Sequence, residues 1–467
     1  MTRKIILLWM AAWVVTTAGA SGYEIKIRLE SAPNEKITLA HYFGSGVFVD
    51  DTVRTNFSGE AVFQGDSLLP QGLYKIYLNA DKHFDFLLGA DQRLTITNPG
   101  FSLEGMQMEG APESVEFLKY MYWLKERQAL KQQLDKQRES ADAAGKAAIE
   151  EKLHQLSKEV SDYWKKKNEE YPGTFLAAFL MANYYEEPDE SKIPPEIAAS
   201  DSLKWLYLYN YRKNHYFDYF RLTDERLLFT PLIKNKLETY FERVILQTYD
   251  SVKQAAYQVL HQVEPHKKMF QFVTAHLLNS TLNSKVMGMD ALFVDIARDY
   301  YLSGRAFWAD STTVDKIREN VIFLQDNLIG KQARDIHLQT HEGEFYSFYQ
   351  STGKFTLLVF YEPNCSHCRE YVPQLYQEVY LPFRDKGLEV VAVYTMNNQA
   401  EWTEFLENHQ LNDWVNAWDE HHVSRFKIIY DTRTTPAVYL LDRSKKIVAK
   451  KCTIEFLKDY LSRNLSR

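Results

Sequence analysis

Three hydrophobic patterns follow one another along the chain. In the first, apolar residues come in short runs, and Tyr23-Glu24-Ile25-Lys26-Ile27-Arg28-Leu29 alternates apolar with polar. That period of two belongs to a half-buried strand. Further short runs recur at Ile37–Tyr42, Val47–Val53, Glu60–Phe63, Leu73–Leu78, Phe84–Leu88 and Leu94–Ile96, with Gly, Asn, Asp and Pro between them. Many short strands at this spacing predict a small β-sandwich over residues 21–105. No catalytic cluster lies in it, so the expected role is a scaffold or recognition module.

Residues 112–327 carry helical spacing instead. Val115, Leu118, Tyr122, Leu130 and Leu134 trace one apolar stripe, and Ile149, Leu153, Leu156, Val160 and Trp164 trace a second. The polar stretch Glu139–Gly145 is expected to turn the chain between them, giving a long antiparallel hairpin. Glu186–Ser202, rich in Pro and acid, reads as a surface loop. The aromatic run of Tyr207, Tyr209, Tyr211, Tyr216, Phe217, Tyr219 and Phe220 reads as core rather than as a peptide or glycan surface, because burial is the default for apolar rings.

Residues 328–467 read as α/β. Asp335–Leu338 and Phe345–Phe348 flank the turn His341-Glu342-Gly343-Glu344 as a hairpin. Thr356–Tyr361 and Leu388–Tyr394 are nearly continuous apolar runs, the mark of parallel strands covered on both faces. Helices are predicted from Cys368 to about Pro382 and over Gln399–His409. A hairpin over Ala437–Leu441 and Ile447–Ala449 and a helix over Ile454–Leu465 close the chain.

At 467 residues the chain is too long for one core. Met1-Thr2-Arg3-Lys4, a short apolar stretch from Ile5 to Thr17, and Ala18-Gly19-Ala20 together predict a secretory signal over residues 1–20. Cleavage after Ala20 removes Arg3 and Lys4 and takes the formal charge from −7 to −9. Nucleic acid and anionic membranes are therefore not natural partners. No later segment is long and apolar enough to span a bilayer. A soluble protein in an oxidising periplasm is expected.

There are only three cysteines. Two of them form Cys365-Ser366-His367-Cys368, directly after the strand Thr356–Tyr361 and at the predicted start of a helix. Unpaired N–H groups at a helix start favour a thiolate, so Cys365 reads as the nucleophile. Cys368, one turn later, can resolve a mixed disulfide. His367 beside the sulfur would favour the reduced state and so a more oxidising couple. Pro373 should kink the helix. In Thr434-Thr435-Pro436-Ala437-Val438, a Pro opening an apolar strand is a good site for a cis bond. Such a bond would present the Thr435 backbone to an extended cysteine-bearing peptide.

The run from Ile329-Gly330-Lys331 through Phe360-Tyr361-Glu362-Pro363-Asn364-Cys365-Ser366-His367-Cys368 to Thr435-Pro436 resembles the TlpA/ResA-like thioredoxins, which are exported thiol–disulfide oxidoreductases. The resemblance covers about the last 140 residues. It implies Cys365 as attacking thiol, Cys368 as resolving thiol, Pro436 as the cis proline, and a reductant fed by a membrane donor. The β-rich and helical regions look like uncharacterised domains fused to such thioredoxins in Bacteroidetes. The stretches His215-Tyr216-Phe217-Asp218 and Arg226-Leu227-Leu228-Phe229-Thr230-Pro231 carry that second resemblance.

The chain departs from the family pattern at several places. Val359 stands where thioredoxins often bury a carboxylate, and Tyr371 where some ResA-like proteins carry Glu, with Glu370 one place early. Asn364 replaces a common Trp. The group that takes the proton from Cys368 is left open.

Rival readings are weaker. Structural zinc needs four ligands, and Cys452 with His421-His422 has no matching spacing. A peroxiredoxin-like peroxidase would have Thr three residues before its reactive cysteine, where this chain has Glu362. A non-catalytic partner-binding protein with a thioredoxin-like docking domain is the third reading. The expectation is a three-part exported thiol–disulfide oxidoreductase with no cofactor, acting on cysteine-containing exported proteins and served by a separate redox donor or acceptor.

Overall fold

A computed structural model describes residues 22–465. The predicted signal over 1–20 lies outside them. The chain forms two compact units, divided after Tyr240.

The first unit opens with eight strands: β1 (Tyr23–Leu29), β2 (Lys36–Phe43), β3 (Gly46–Arg54), β4 (Glu60–Gly65), β5 (Gly72–Tyr77), β6 (His83–Leu88), β7 (Arg93–Asn98) and β8 (Gln107–Gly110). They make two four-stranded sheets, ordered β4-β1-β7-β8 and β3-β2-β5-β6. Register puts Ile25 opposite Phe63 and Leu94 in one sheet, and Leu39–Ile76–Phe84 in line in the other. All six side chains are buried in one core, which makes the pair of sheets a sandwich. The sequence pattern did not predict β8, whose Met108 pairs with Ile96 at the sheet edge. Four residues with a single buried apolar side chain give too short a periodic signal.

Helices Pro112–Ser140 and Ala143–Glu170 form the predicted hairpin. Its turn is tighter than expected: Asp142 caps the second helix, accepting from the Gly145 N–H at 2.8 Å. Leu118, Leu134, Ile149 and Leu156 are buried, whereas Tyr122 and Leu130 of the predicted stripe are exposed. The aromatic run corrects its prediction further. Helix Asp201–His215 buries none of its residues, and of the seven aromatics only Phe220 is fully buried. The others are half-buried, and several pack on neighbouring rings, as Tyr209 does on Trp205, Tyr211 on His215 and Tyr216 on Phe217. Ring-to-ring contact at the surface replaces burial in a core.

The second unit begins with helices Tyr249–Val263, Lys267–Leu282, Met289–Ile296 and Ser311–Leu324. A seven-stranded mixed sheet follows, made of β9 (His337–Thr340), β10 (Phe345–Ser347), β11 (Phe355–Tyr361), β12 (Leu388–Tyr394), β13 (Val415–Trp418), β14 (Ala437–Asp442) and β15 (Ile447–Lys450). Its order is β10-β9-β13-β12-β11-β14-β15. β11, β12 and β13 are parallel, and β14 runs antiparallel beside β11. Alternate residues of β11 enter two cores: Leu357, Val359 and Tyr361 on one face, Leu358 and Phe360 on the other. That double burial is why the strand reads as an unbroken apolar run. β13 was missed in the sequence, being only four residues long. The helix after Cys365 runs Ser366–Leu375 through Pro373 and continues as a π-helical turn at Tyr376–Tyr380.

Candidate active site

β11 delivers the chain to the cysteine pair. After Tyr361 a short turn closes with the Cys365 N–H on the Glu362 carbonyl at 3.1 Å, and Cys365 is the N-cap of helix Ser366–Leu375. The next helical bond runs from the Arg369 N–H to the Cys365 carbonyl at 3.1 Å. Cys365 is part-exposed, Cys368 is fully buried, and both are free thiols.

The second wall of the site comes from β14. Its first residue, Ala437, pairs with Phe360 of β11, so the preceding Thr435-Pro436 lies beside the cysteine turn. The Thr435–Pro436 peptide bond is cis. The Cys365 thiol donates to the Thr435 carbonyl at 3.3 Å.

The two sulfurs are perturbed in opposite directions. Burial raises the Cys365 pKa, but hydrogen bonds outweigh it and hold the thiol below its ordinary range. They come from the Cys368 backbone N–H and thiol, the Thr435 side chain and the His367 backbone N–H. N–H groups at a helix start favour the anion in this way. Burial pushes Cys368 up to about 12, and the Cys365 sulfur beside it adds to the shift, while the Glu362 backbone N–H and the Thr435 side chain pull the other way.

Ser366 and His367 are exposed on the first turn of the helix. Val359 is buried among apolar side chains. Tyr371 turns its hydroxyl to the Cys452 carbonyl at 2.8 Å, tying the helix to the segment after β15. Cys452 is buried in the same core as Cys368, and burial pushes its thiol up to about 12. Glu362 and Thr395 belong to the site although the sequence reading assigned them no place in it. The Thr395 hydroxyl donates to the Glu362 carboxylate at 3.0 Å, and the Thr395 N–H donates to the Tyr361 carbonyl at 3.2 Å. The available signal was positional, since each is a polar residue directly after an apolar strand. Among the described residues no three His, Cys, Asp or Glu side chains are grouped as a metal site requires.

A strand–cysteine turn–helix unit facing a cis-proline loop on a mixed sheet is a thioredoxin-like domain. Residues 329–450 match the AhpC/TSA family model, and residues 143–327 match the model of a domain of unknown function, DUF5106. No curated protein matches the chain. Among solved structures, a domain of a possible thiol-disulfide isomerase from Cytophaga hutchinsonii is 33% identical, covering 30% of this chain and 94% of that one, with a TM-score of 0.28. A thioredoxin-like protein from Bacteroides caccae is 20% identical, covering 60% of this chain and 98% of its own, with a TM-score of 0.47. The thioredoxin domain of a thiol-disulfide oxidoreductase from Bacteroides vulgatus is 26% identical, covering 29% and 97%, with a TM-score of 0.28.

Proposed function

We propose that the chain is a thiol–disulfide oxidoreductase of the periplasm that exchanges disulfides with other exported proteins. The observation that carries the reading is the opposed pair of thiols one helical turn apart: Cys365 part-exposed and lowered, Cys368 buried and pushed up to about 12. Such a pair assigns the order of events. The Cys365 thiolate attacks a partner disulfide, forming a Cys365–partner bond and releasing one partner thiolate. Cys368 then loses its proton and attacks the Cys365 sulfur, releasing the second. The protein's two thiols become one disulfide, and their two protons and two electrons leave on the partner. The same steps run backwards when the protein is the oxidant.

Thr435, beside the cis bond, supplies backbone against which an extended partner segment can lie. Export rests on the basic, apolar and small-residue pattern of residues 1–20. No helix among the described residues is long and apolar enough to cross a membrane. The sandwich and hairpin would select partners, a role supported by their size and lack of catalytic clusters. The direction of electron flow depends on the potential, with His367 favouring an oxidant and the family resemblance a reductant with a membrane donor.

The test is a redox titration of the mature protein by thiol trapping, alongside a Cys368→Ser variant. A potential of about −250 mV or lower marks a reductase, and about −150 mV or higher an oxidant or isomerase. Cys368→Ser should accumulate mixed disulfides through Cys365. A pair that never forms a reversible disulfide defeats the reading. If hydrogen peroxide oxidises Cys365 faster than protein disulfides do, the peroxidase reading replaces it.

A further inference from the structure

The loop carrying Thr435 is braced by a helix that precedes the thioredoxin-like domain. Helix Ser311–Leu324 lies inside the DUF5106 match, which ends at 327, before the AhpC/TSA match begins at 329. Its Asn320 accepts a hydrogen bond from the Arg433 guanidinium at 2.9 Å. One turn on, the Phe323 ring lies under the same guanidinium, 4.2 Å from its carbon. Arg433 also forks onto Asp431 with bonds of 2.5 and 3.0 Å. The Asn320 amide is oriented by its own bond to the Lys316 carbonyl at 3.1 Å, which leaves its oxygen facing Arg433. Close by, the Asn327 side chain donates to the Ile429 carbonyl at 2.9 Å.

Arg433 is two residues from Thr435, and only the exposed Thr434 lies between them. A planar guanidinium with three fixed partners has little freedom, so it pins the loop at that point. We propose that Asn320 and Phe323 are positioning residues of the redox site: they hold Arg433, and Arg433 keeps Thr435 against the Cys365 sulfur. The proposal rests on Cys365 being the reactive thiol. It makes the helical region part of the redox apparatus.

The readout is the pH dependence of iodoacetamide labelling at Cys365 in the full chain, followed by mass spectrometry. The ionisable groups on the elements framing the sulfur are His367, Cys368, Arg369, Glu370 and Tyr371 on its helix, Glu362 on the turn, and Asp431 and Arg433 on the loop. Asn320→Ala and Phe323→Leu change none of them. Each variant should move the labelling midpoint by about half to one pH unit, because the carbonyl that accepts from the Cys365 thiol is no longer held at 3.3 Å. In an Arg433→Met background Asn320→Ala should add nothing, because both act through one side chain. Asn320→Asp, which keeps the acceptor oxygen, should retain the wild-type midpoint.

Unchanged midpoints in Asn320→Ala and Phe323→Leu, in protein with a wild-type thermal melt, overturn the proposal, as does additivity with Arg433→Met. If Asn320→Ala does not fold, Phe323→Leu and Asn320→Asp decide the matter. The labelling midpoint reads the brace whether or not the cysteine pair turns over. Failure of the oxidoreductase reading is seen separately, in the redox titration.

Discussion

Replacing Asp290 with Asn tests how the helices of the second unit are joined to its sheet. Lys450 ends β15 with its side chain only 4% exposed. Its ammonium donates to the Asn327 side-chain oxygen at 2.7 Å and to the Asn327 carbonyl at 3.1 Å. The third partner is the Asp290 carboxylate on helix Met289–Ile296, an ion pair outside hydrogen-bond geometry with an oxygen that has no other partner. Removing one member of a buried pair costs about 3–5 kcal/mol, because the remaining charge is stranded. Asn327 still solvates the ammonium, so the low end, about 3 kcal/mol, is expected. With a urea slope of about 3 kcal/mol per molar, the midpoint falls by about 1 M. The assay is pulsed thiol labelling in a Cys365→Ser background, since Cys452 is 4% exposed and reacts only when this unit opens. Asp290→Leu with Lys450→Met should recover most of the loss, because a matched apolar pair strands no charge. A midpoint shift below about 0.3 M for Asp290→Asn, or a double variant as unstable as the single, would refute the reasoning.

The pH dependence follows from the same lysine. Burial lowers the Lys450 pKa, with Asp290 opposing it. The folded protein therefore holds that proton less tightly than the unfolded chain does. Its cost is present at neutral pH and is relieved as pH rises between the folded and the ordinary lysine values. Wild type should gain stability relative to Lys450→Met between about pH 7 and pH 9.5, and parallel urea curves at both pH values check the sign.

Three further outcomes are expected. At neutral pH, iodoacetamide should label Cys365 and leave Cys365→Ser protein unlabelled, because Cys368 and Cys452 are buried with thiols pushed up to about 12; peptide mapping reads this directly. Tyr361→Phe removes the acceptor of the buried Trp402 indole N–H, a bond of 2.9 Å, and should destabilise the second unit by about 1–3 kcal/mol in urea unfolding. Tyr371→Phe breaks the bond to the Cys452 carbonyl and should cost about 0.5–1.5 kcal/mol with little change in the Cys365 labelling midpoint.

Much of the architecture is a local property and could be read from the chain. The alternation over Tyr23–Leu29, the doubly buried run Phe355–Tyr361 and the hairpin stripes at Leu134 and Leu156 each declare a face through their own spacing. The place of Cys365 at a helix start was equally legible, because a strand ends, a turn follows and a helix begins within a few residues. Local pattern says less about what covers a face. Helix Asp201–His215 is rich in Leu, Tyr and Trp yet buries none of its residues, which its own pattern does not announce. Lys450 reads as an ordinary surface lysine until β15 is set against Asp290 and Asn327. Arg433 has no meaning until Asn320, 113 residues away, is brought beside it. Periodicity records which side of an element is apolar. The free energy of a buried charge or a braced loop depends on groups from distant segments, and only the tertiary fold brings those together.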